Sequence, residues 1–161
     1  GYIQYTPDGG TTWINLINTQ TPEQLLPIMT SNVNAFGEVS CLAGGASAIS
    51  ANDAYLLIDG TSPSTEGQFG EVNDYIEFEF TNSQYVKTIS FYARGLNNSG
   101  NIVDIEYTED GVTWRNASSV TLGTSSIQYS STINTTIKAF RLKMNTLIAS
   151  YTLLSRVEAW N

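Results

Sequence analysis

Apolar and polar residues alternate with a period of two along most of the chain. In 75–80, Ile76, Phe78 and Phe80 share one face, and Tyr75, Glu77 and Glu79 the other. Val103, Ile105 and Tyr107 oppose Ile102, Asp104 and Glu106, while Phe140, Leu142 and Met144 oppose Ala139, Arg141 and Lys143. Near the end, Val157 and Ala159 oppose Arg156, Glu158 and Trp160. A strand with one face on a core and one in water gives this pattern. Segment 86–93 adds Ile89 and Phe91, segment 36–43 adds Phe36, Val39 and Cys41 less cleanly, and 126–133 reads as a polar strand. Short helical turns are expected near 21–26, where Thr21 caps and Pro22 takes the first position, and over 52–57, opened by Asn52 or Asp53. Long polar stretches at 44–54, 60–74, 94–101, 121–127 and 144–153 separate the strands. The pattern predicts an all-β, jelly-roll β-sandwich whose loops gather at its two ends.

One phrase occurs twice. Residues 5–13 read Tyr-Thr-Pro-Asp-Gly-Gly-Thr-Thr-Trp and 107–114 read Tyr-Thr-Glu-Asp-Gly-Val-Thr-Trp. Each predicts a β-hairpin in which Gly takes the positive φ of the turn and the Asp shapes the turn; Trp13 and Trp114 either tuck against the sheet or stand as stacking platforms, the first being the stronger reading. The copies lie about one domain length apart. Residues 1–27 therefore read as a hairpin and linker appendage, and 28–161 as the main module. Trp160 is expected to pack near the N-terminal segment.

Composition narrows the chemistry. Seven Lys and Arg face fifteen Asp and Glu, a formal net charge of −8. Nucleic acid and anionic membranes are poor partners for such a chain, and no segment is apolar enough to insert in a membrane. A neutral ligand is unaffected by that field. Histidine is absent, which removes Ser-His-Asp and Cys-His catalysis and His-based zinc sites. Cys41 is alone, so no internal disulfide forms, and a buried structural thiol is expected. The acidic clusters are Glu77 with Glu79 and Glu106 with Glu109 and Asp110. Glycoside hydrolysis needs one carboxyl held protonated by burial. Glu77 and Glu79 alternate with the core face and are expected in water, so no enzyme is read here.

From about Leu26 to Asn161 the order of motifs resembles the discoidin-like fold, also called the coagulation-factor type C or galactose-binding-like domain. Met29-Thr30-Ser31-Asn32 and Gly37-Glu38-Val39-Ser40-Cys41 resemble its opening strand, and Leu57-Ile58-Asp59-Gly60 its Phe-Asp-Gly box. Tyr75 to Phe80, Val86 to Arg94, and Ile105 to Trp114 are similar to its next strands and hairpin, and Arg156-Val157-Glu158-Ala159-Trp160 to its close. The usual tryptophan after the box, the histidine of many galactose binders and the flanking disulfide are missing. The resemblance implies a non-catalytic carbohydrate-binding module. The approach Leu25 to Asn32, entered from an Asp-Gly-Gly hairpin, resembles modules embedded in phage tail and baseplate proteins. That implies part of a larger, multivalent assembly, extracellular or on a virion, attached to cell-wall polysaccharide. A secreted glycoside hydrolase with this as accessory module, and a structural or protein-binding domain of a tail or adhesin, are the alternatives.

Sugar binding needs an arene against the C–H face of the ring and planar polar groups that fork onto adjacent hydroxyls. The loops and strand ends offer Tyr55, Phe69, Tyr75, Arg94, Asn97, Asn98, Asn101 and Tyr151. Arg94 ends a strand, opens a Gly-Leu-Asn-Asn-Ser-Gly-Asn loop and matches a ligand-contacting arginine of the family; the other reading is pairing with a nearby carboxylate. Phe69 is either a stacking platform or a plug over the core. The resemblance further implies a structural Ca2+ beside the box, held by Asp59, Thr61, Thr65 and Glu158.

Overall fold

The structure, a computed structural model, describes residues 3–5, 14–16, 22–26, 28–44, 50–58, 66–95, 100–148 and 151–161. Its strands are β1 (Ile3–Tyr5), β2 (Ile14–Leu16), β3 (Gly37–Leu42), β4 (Gly67–Phe69), β5 (Tyr75–Gly95), β6 (Ile102–Thr108), β7 (Trp114–Thr121), β8 (Ile127–Thr146) and β9 (Thr152–Trp160). A 3-10 helix, Ala51–Leu57, follows β3. The sandwich comes from the length of β5 and β8. The first half of β5 lies between β3 and the second half of β8, which also pairs β6, and β6 pairs β7. The second half of β5 lies between β9 and the first half of β8, with β4 on the far side of β9. All these pairings are antiparallel. Both long strands turn a corner where the register slips between Glu79 and Gln84. Lys138 sits at that corner and donates to Phe80 O at 2.5 Å.

The period-two reading holds where the pleat has one face on the core. Ile76, Phe78, Phe80, Val103, Ile105, Phe140, Leu142 and Met144 are all buried. Phe78 meets Phe80 edge-on at 5.0 Å and stacks near Phe140 at 6.1 Å, filling the space between the layers. Near the corner, Gly37 lies so close to β5 that a methyl group there would sit 2.2 Å from Glu79 O.

Three local expectations change. No helix forms over 22–26. Instead Leu25 N donates to Ala159 O at 2.7 Å and Gln24 bridges Trp160, because the end of β9 offers an open edge. That contact also sets Trp160 beside the N-terminal segment. The 3-10 helix is capped by Ser50 rather than Asn52 or Asp53. In β9 the alternation breaks at Arg156, whose φ of 46° lies at a bulge.

The first repeated phrase has its strands paired, with Ile3 opposite Leu16 and Tyr5 opposite Ile14, while its turn lies outside the described residues. The second is complete. Thr108 pairs Trp114, and Gly111 has φ of 79°. Asp110 Oδ1 accepts from Thr113 N at 2.7 Å, Val112 N at 2.8 Å and the Thr108 hydroxyl at 2.9 Å. These donors, the Thr113 and Val112 amides first, hold its carboxyl well below the usual range. The folded value is depressed, so the contribution of Asp110 is present above the unfolded value and is lost only as pH falls through the lower, folded one. At pH 3.8, the ordinary midpoint, Asp110 is expected to stay ionised in the folded protein. A carboxyl-carbon NMR titration checks this, and a midpoint at the ordinary value would contradict it.

Candidate functional site

The ends of β3, β7 and β8 and the starts of β6 and β9 meet both ends of β5 at one rim of the sandwich. Antiparallel register places them there: Leu42 lies opposite Tyr75, Ile102 opposite Thr146 and Gly95 opposite Thr152. Two buried polar side chains fasten this rim. Asp74, 3% exposed, accepts at Oδ2 from the backbone N–H groups of Gly44 (2.8 Å), Gly70 (3.0 Å) and Glu71 (2.9 Å). Asn101, 0% exposed, donates to Thr152 Oγ1 at 3.1 Å and accepts from Ile148 N at 3.0 Å. Its backbone oxygen takes the N–H of Leu122. Asn101 is thus a brace tying three chain segments, and its amide is not presented to a ligand as expected.

Arg94 stands on the same rim at the end of β5. Its Nε and Nη2 donate to the two carboxylate oxygens of Glu66, at 3.2 and 2.9 Å. This fork uses two of the five guanidinium N–H donors and fixes the plane of the group. The side chains are 36% and 23% exposed, so the pair sits at the water boundary. The carboxylate partner expected for Arg94 is thus Glu66, and the guanidinium stays partly open to water. Tyr151 precedes Thr152, the cross-strand partner of Gly95, and its half-buried ring lies against Gly70, where an added methyl would come within 2.8 Å. Gly70 is the residue that admits the ring.

The other candidates go elsewhere. Phe69 is 0% exposed and belongs to the core. The pleat of β4 turns Phe69 and Gly67 inward and leaves Gln68 half-exposed, so the stacking role is closed to it and the plug reading holds. Tyr55 lies on the 3-10 helix, partly buried on the core, with its N–H on Asn32 Oδ1 at 3.0 Å. Tyr75 is on the outer face of the first layer, with the Arg141 guanidinium 5.9 Å from its ring centre. Asn97 and Asn98 lie outside the described residues, as do Asp59, Thr61 and Thr65. Glu158, the remaining expected calcium ligand, is buried, with Arg156 Nε on one oxygen at 2.7 Å and the Ser90 hydroxyl on the other at 3.1 Å. As arranged, this carboxylate fits a guanidinium rather than a metal ion. Glu66 and Asp74 were missed by sequence reading. Each looks like one more polar loop residue until the fold brings it to a partner 28 or 30 residues away.

Several carboxylates elsewhere are matched to bases. Glu77, Arg141 and Glu106 form a row across β5, β8 and β6, with Arg141 Nε on Glu106 at 2.5 Å. Burial raises the Glu77 pKa, with Arg141 opposing and Glu79 adding. Glu79 pairs Lys138 at 3.1 Å. Glu77 is thus drier than its position in the alternation suggested, half-buried beside Arg141 on the neighbouring strand. Cys41 is only half-buried, and its thiol pKa is raised mainly by burial.

No family model matches the chain, and no curated protein does. Solved structures do resemble it. The family 32 carbohydrate-binding module (CBM) of Clostridium perfringens NanJ, in complex with galactose, aligns with a TM-score of 0.60 at 12% identity over 78% of this chain and 93% of that one. A CBM32 of a C. perfringens GH89 protein, in complex with GlcNAc-α-1,4-galactose, gives 0.64 at 10% identity over 89% and 96%. Truncated AlyQ, with CBM32 and alginate lyase domains, gives 0.60 at 18% identity over 78% of this chain and 32% of its own. At these identities the likeness is one of fold: the chain is an all-β sandwich of the type these modules share.

Proposed function

We propose that the protein is a carbohydrate-binding module with no catalysis of its own, holding a larger protein to a saccharide through the Arg94 rim. The observation that carries this reading is the Arg94–Glu66 fork. A guanidinium fixed in plane at the water boundary, on the same rim as Tyr151, suits a sugar edge. Its remaining donors reach adjacent hydroxyls while an arene covers the apolar face. The neighbours support it: the NanJ module is seen with galactose, and another belongs to a family 31 glycoside hydrolase of C. perfringens. They favour an accessory module of a secreted glycan-active protein over the phage-tail attachment expected from residues 25–32, for which they offer no support.

The test is calorimetric titration with galactose and with GlcNAc-α-1,4-galactose. Arg94→Ala is expected to weaken binding at least about tenfold, which is about 1.4 kcal/mol. Stability should change by less than about 1 kcal/mol, since the ion pair is partly exposed. A folded Arg94→Ala protein that binds as the parent does, or a parent that binds neither sugar, removes the assignment.

A further inference from the structure

The opposite end of the sandwich holds a cavity of about 540 Å³ between the chain at 23–25 and the turn before β3. Phe36 forms one wall and is 60% exposed. The turn carrying it is fastened on both sides. Asn34 Oδ1 accepts from Phe36 N at 2.8 Å and Gly37 N at 3.1 Å, and Phe36 O accepts from Thr81 N at 2.8 Å. The other wall is tied to the end of β9: Leu25 N reaches Ala159 O, Asn161 N reaches Glu23 O, and Glu23 N reaches the Asn161 side chain. Gln24, Asn82, Gln84 and Asn161 supply planar amides around the opening, and Glu23 supplies a carboxylate. Among the described residues the lining includes no Lys or Arg.

We propose that this cavity is a second saccharide site, for a neutral sugar. Its volume falls in the range of small-ligand clefts. A rigidly mounted, water-facing arene costs little further ordering when a sugar ring stacks on it. Amides both donate and accept, as hydroxyl groups require. Anions are disfavoured by Glu23 and by the net charge of −8. A second hollow of about 390 Å³, lined by Trp160, Gln128 and Ser130, also touches Asn161. An oligosaccharide stacked on Phe36 can therefore continue toward Trp160. The site shares no residue with the Arg94 rim, so one module carries a site at each end and can link two glycan chains or bind one surface with avidity.

The test follows amide resonances of the 15N-labelled protein during titration with galactose, N-acetylglucosamine, and galacto-, manno- and xylo-tetraose at millimolar concentration. At least one probe is expected to shift Phe36, Gln24, Thr81 and Asn161 in both the parent and the Arg94→Ala protein. Phe36→Ala, at an exposed position that leaves the fold intact by thermal melt, is expected to weaken those shifts at least about tenfold. The proposal is overturned if no probe moves these resonances, if their shifts survive Phe36→Ala unchanged, or if Arg94→Ala abolishes them. Failure of the Arg94 site would instead appear as rim resonances indifferent to Arg94→Ala, so the two readings fall separately. A partner protein that shifts the Phe36 set where every sugar fails also overturns it.

Discussion

Asp74→Ala is expected to destabilise the protein by about 3 kcal/mol, because three backbone N–H groups lose their acceptor at once. The carboxylate is buried, so its removal leaves donors that water reaches only if the rim opens. Charge-assisted bonds of this kind contribute more than neutral ones. Partial opening and solvation keep the total below a simple sum. Asp74→Asn keeps one acceptor oxygen and is expected to cost about half as much. Urea unfolding at constant m-value measures both. The loosened segments include Gly70, which seats Tyr151. Sugar binding at the Arg94 rim should therefore weaken in Asp74→Ala even though Arg94 and Glu66 are untouched. An alanine variant with the parent's unfolding midpoint would show that the three amides find other partners, and the account of the rim would be wrong.

Arg141→Met is expected to cost about 3 kcal/mol for a different reason. The guanidinium sits between the Glu106 carboxylate and the Trp114 ring, 4.1 Å from the ring centre, and the paired side chains are only 19% and 13% exposed. Methionine retains much of the apolar contact but leaves Glu106 half-desolvated, with Lys143 Nζ no nearer than 4.0 Å. Removing one partner of such a pair is more damaging than removing both. Arg141→Met with Glu106→Leu is therefore expected to recover most of the loss. Unfolding of the two single variants and the double variant closes the cycle. If the double variant is the sum of the singles, the ion pair is not what holds this face. Trp114 fluorescence reports the same event, since the ring loses the cation above it.

Much of the architecture is written in local pattern. The side-chain period of a strand is two, so Phe78 and Phe140 were assigned to the core without knowledge of their neighbours. The Asp110-Gly111 turn is equally local: an acceptor two residues before a donor and a residue free to take positive φ suffice. Each long strand reads as two pieces, β5 as 75–80 and 86–93 and β8 as 126–133 and 138–144, because the corner at 79–84 of β5 and 137–139 of β8 interrupts the alternation without interrupting the chain. The candidate site was legible only at Arg94 and Tyr151, which a strand end and a loop made visible.

Two phenylalanines mark the boundary of what a sequence can decide. Phe69, in a polar stretch, reads equally as a platform or a plug and is buried; Phe36, beside a strand pattern, reads as a core residue and faces water. Their composition and neighbours do not separate them. The pleat of a three-residue strand turns one inward, and an Asx turn pinned to Thr81 turns the other out. Alternation determined which faces meet, since it acts between adjacent residues. Which arenes, amides and acids surround each rim was decided by contacts between segments far apart in the chain, and those exist only once the layers have closed.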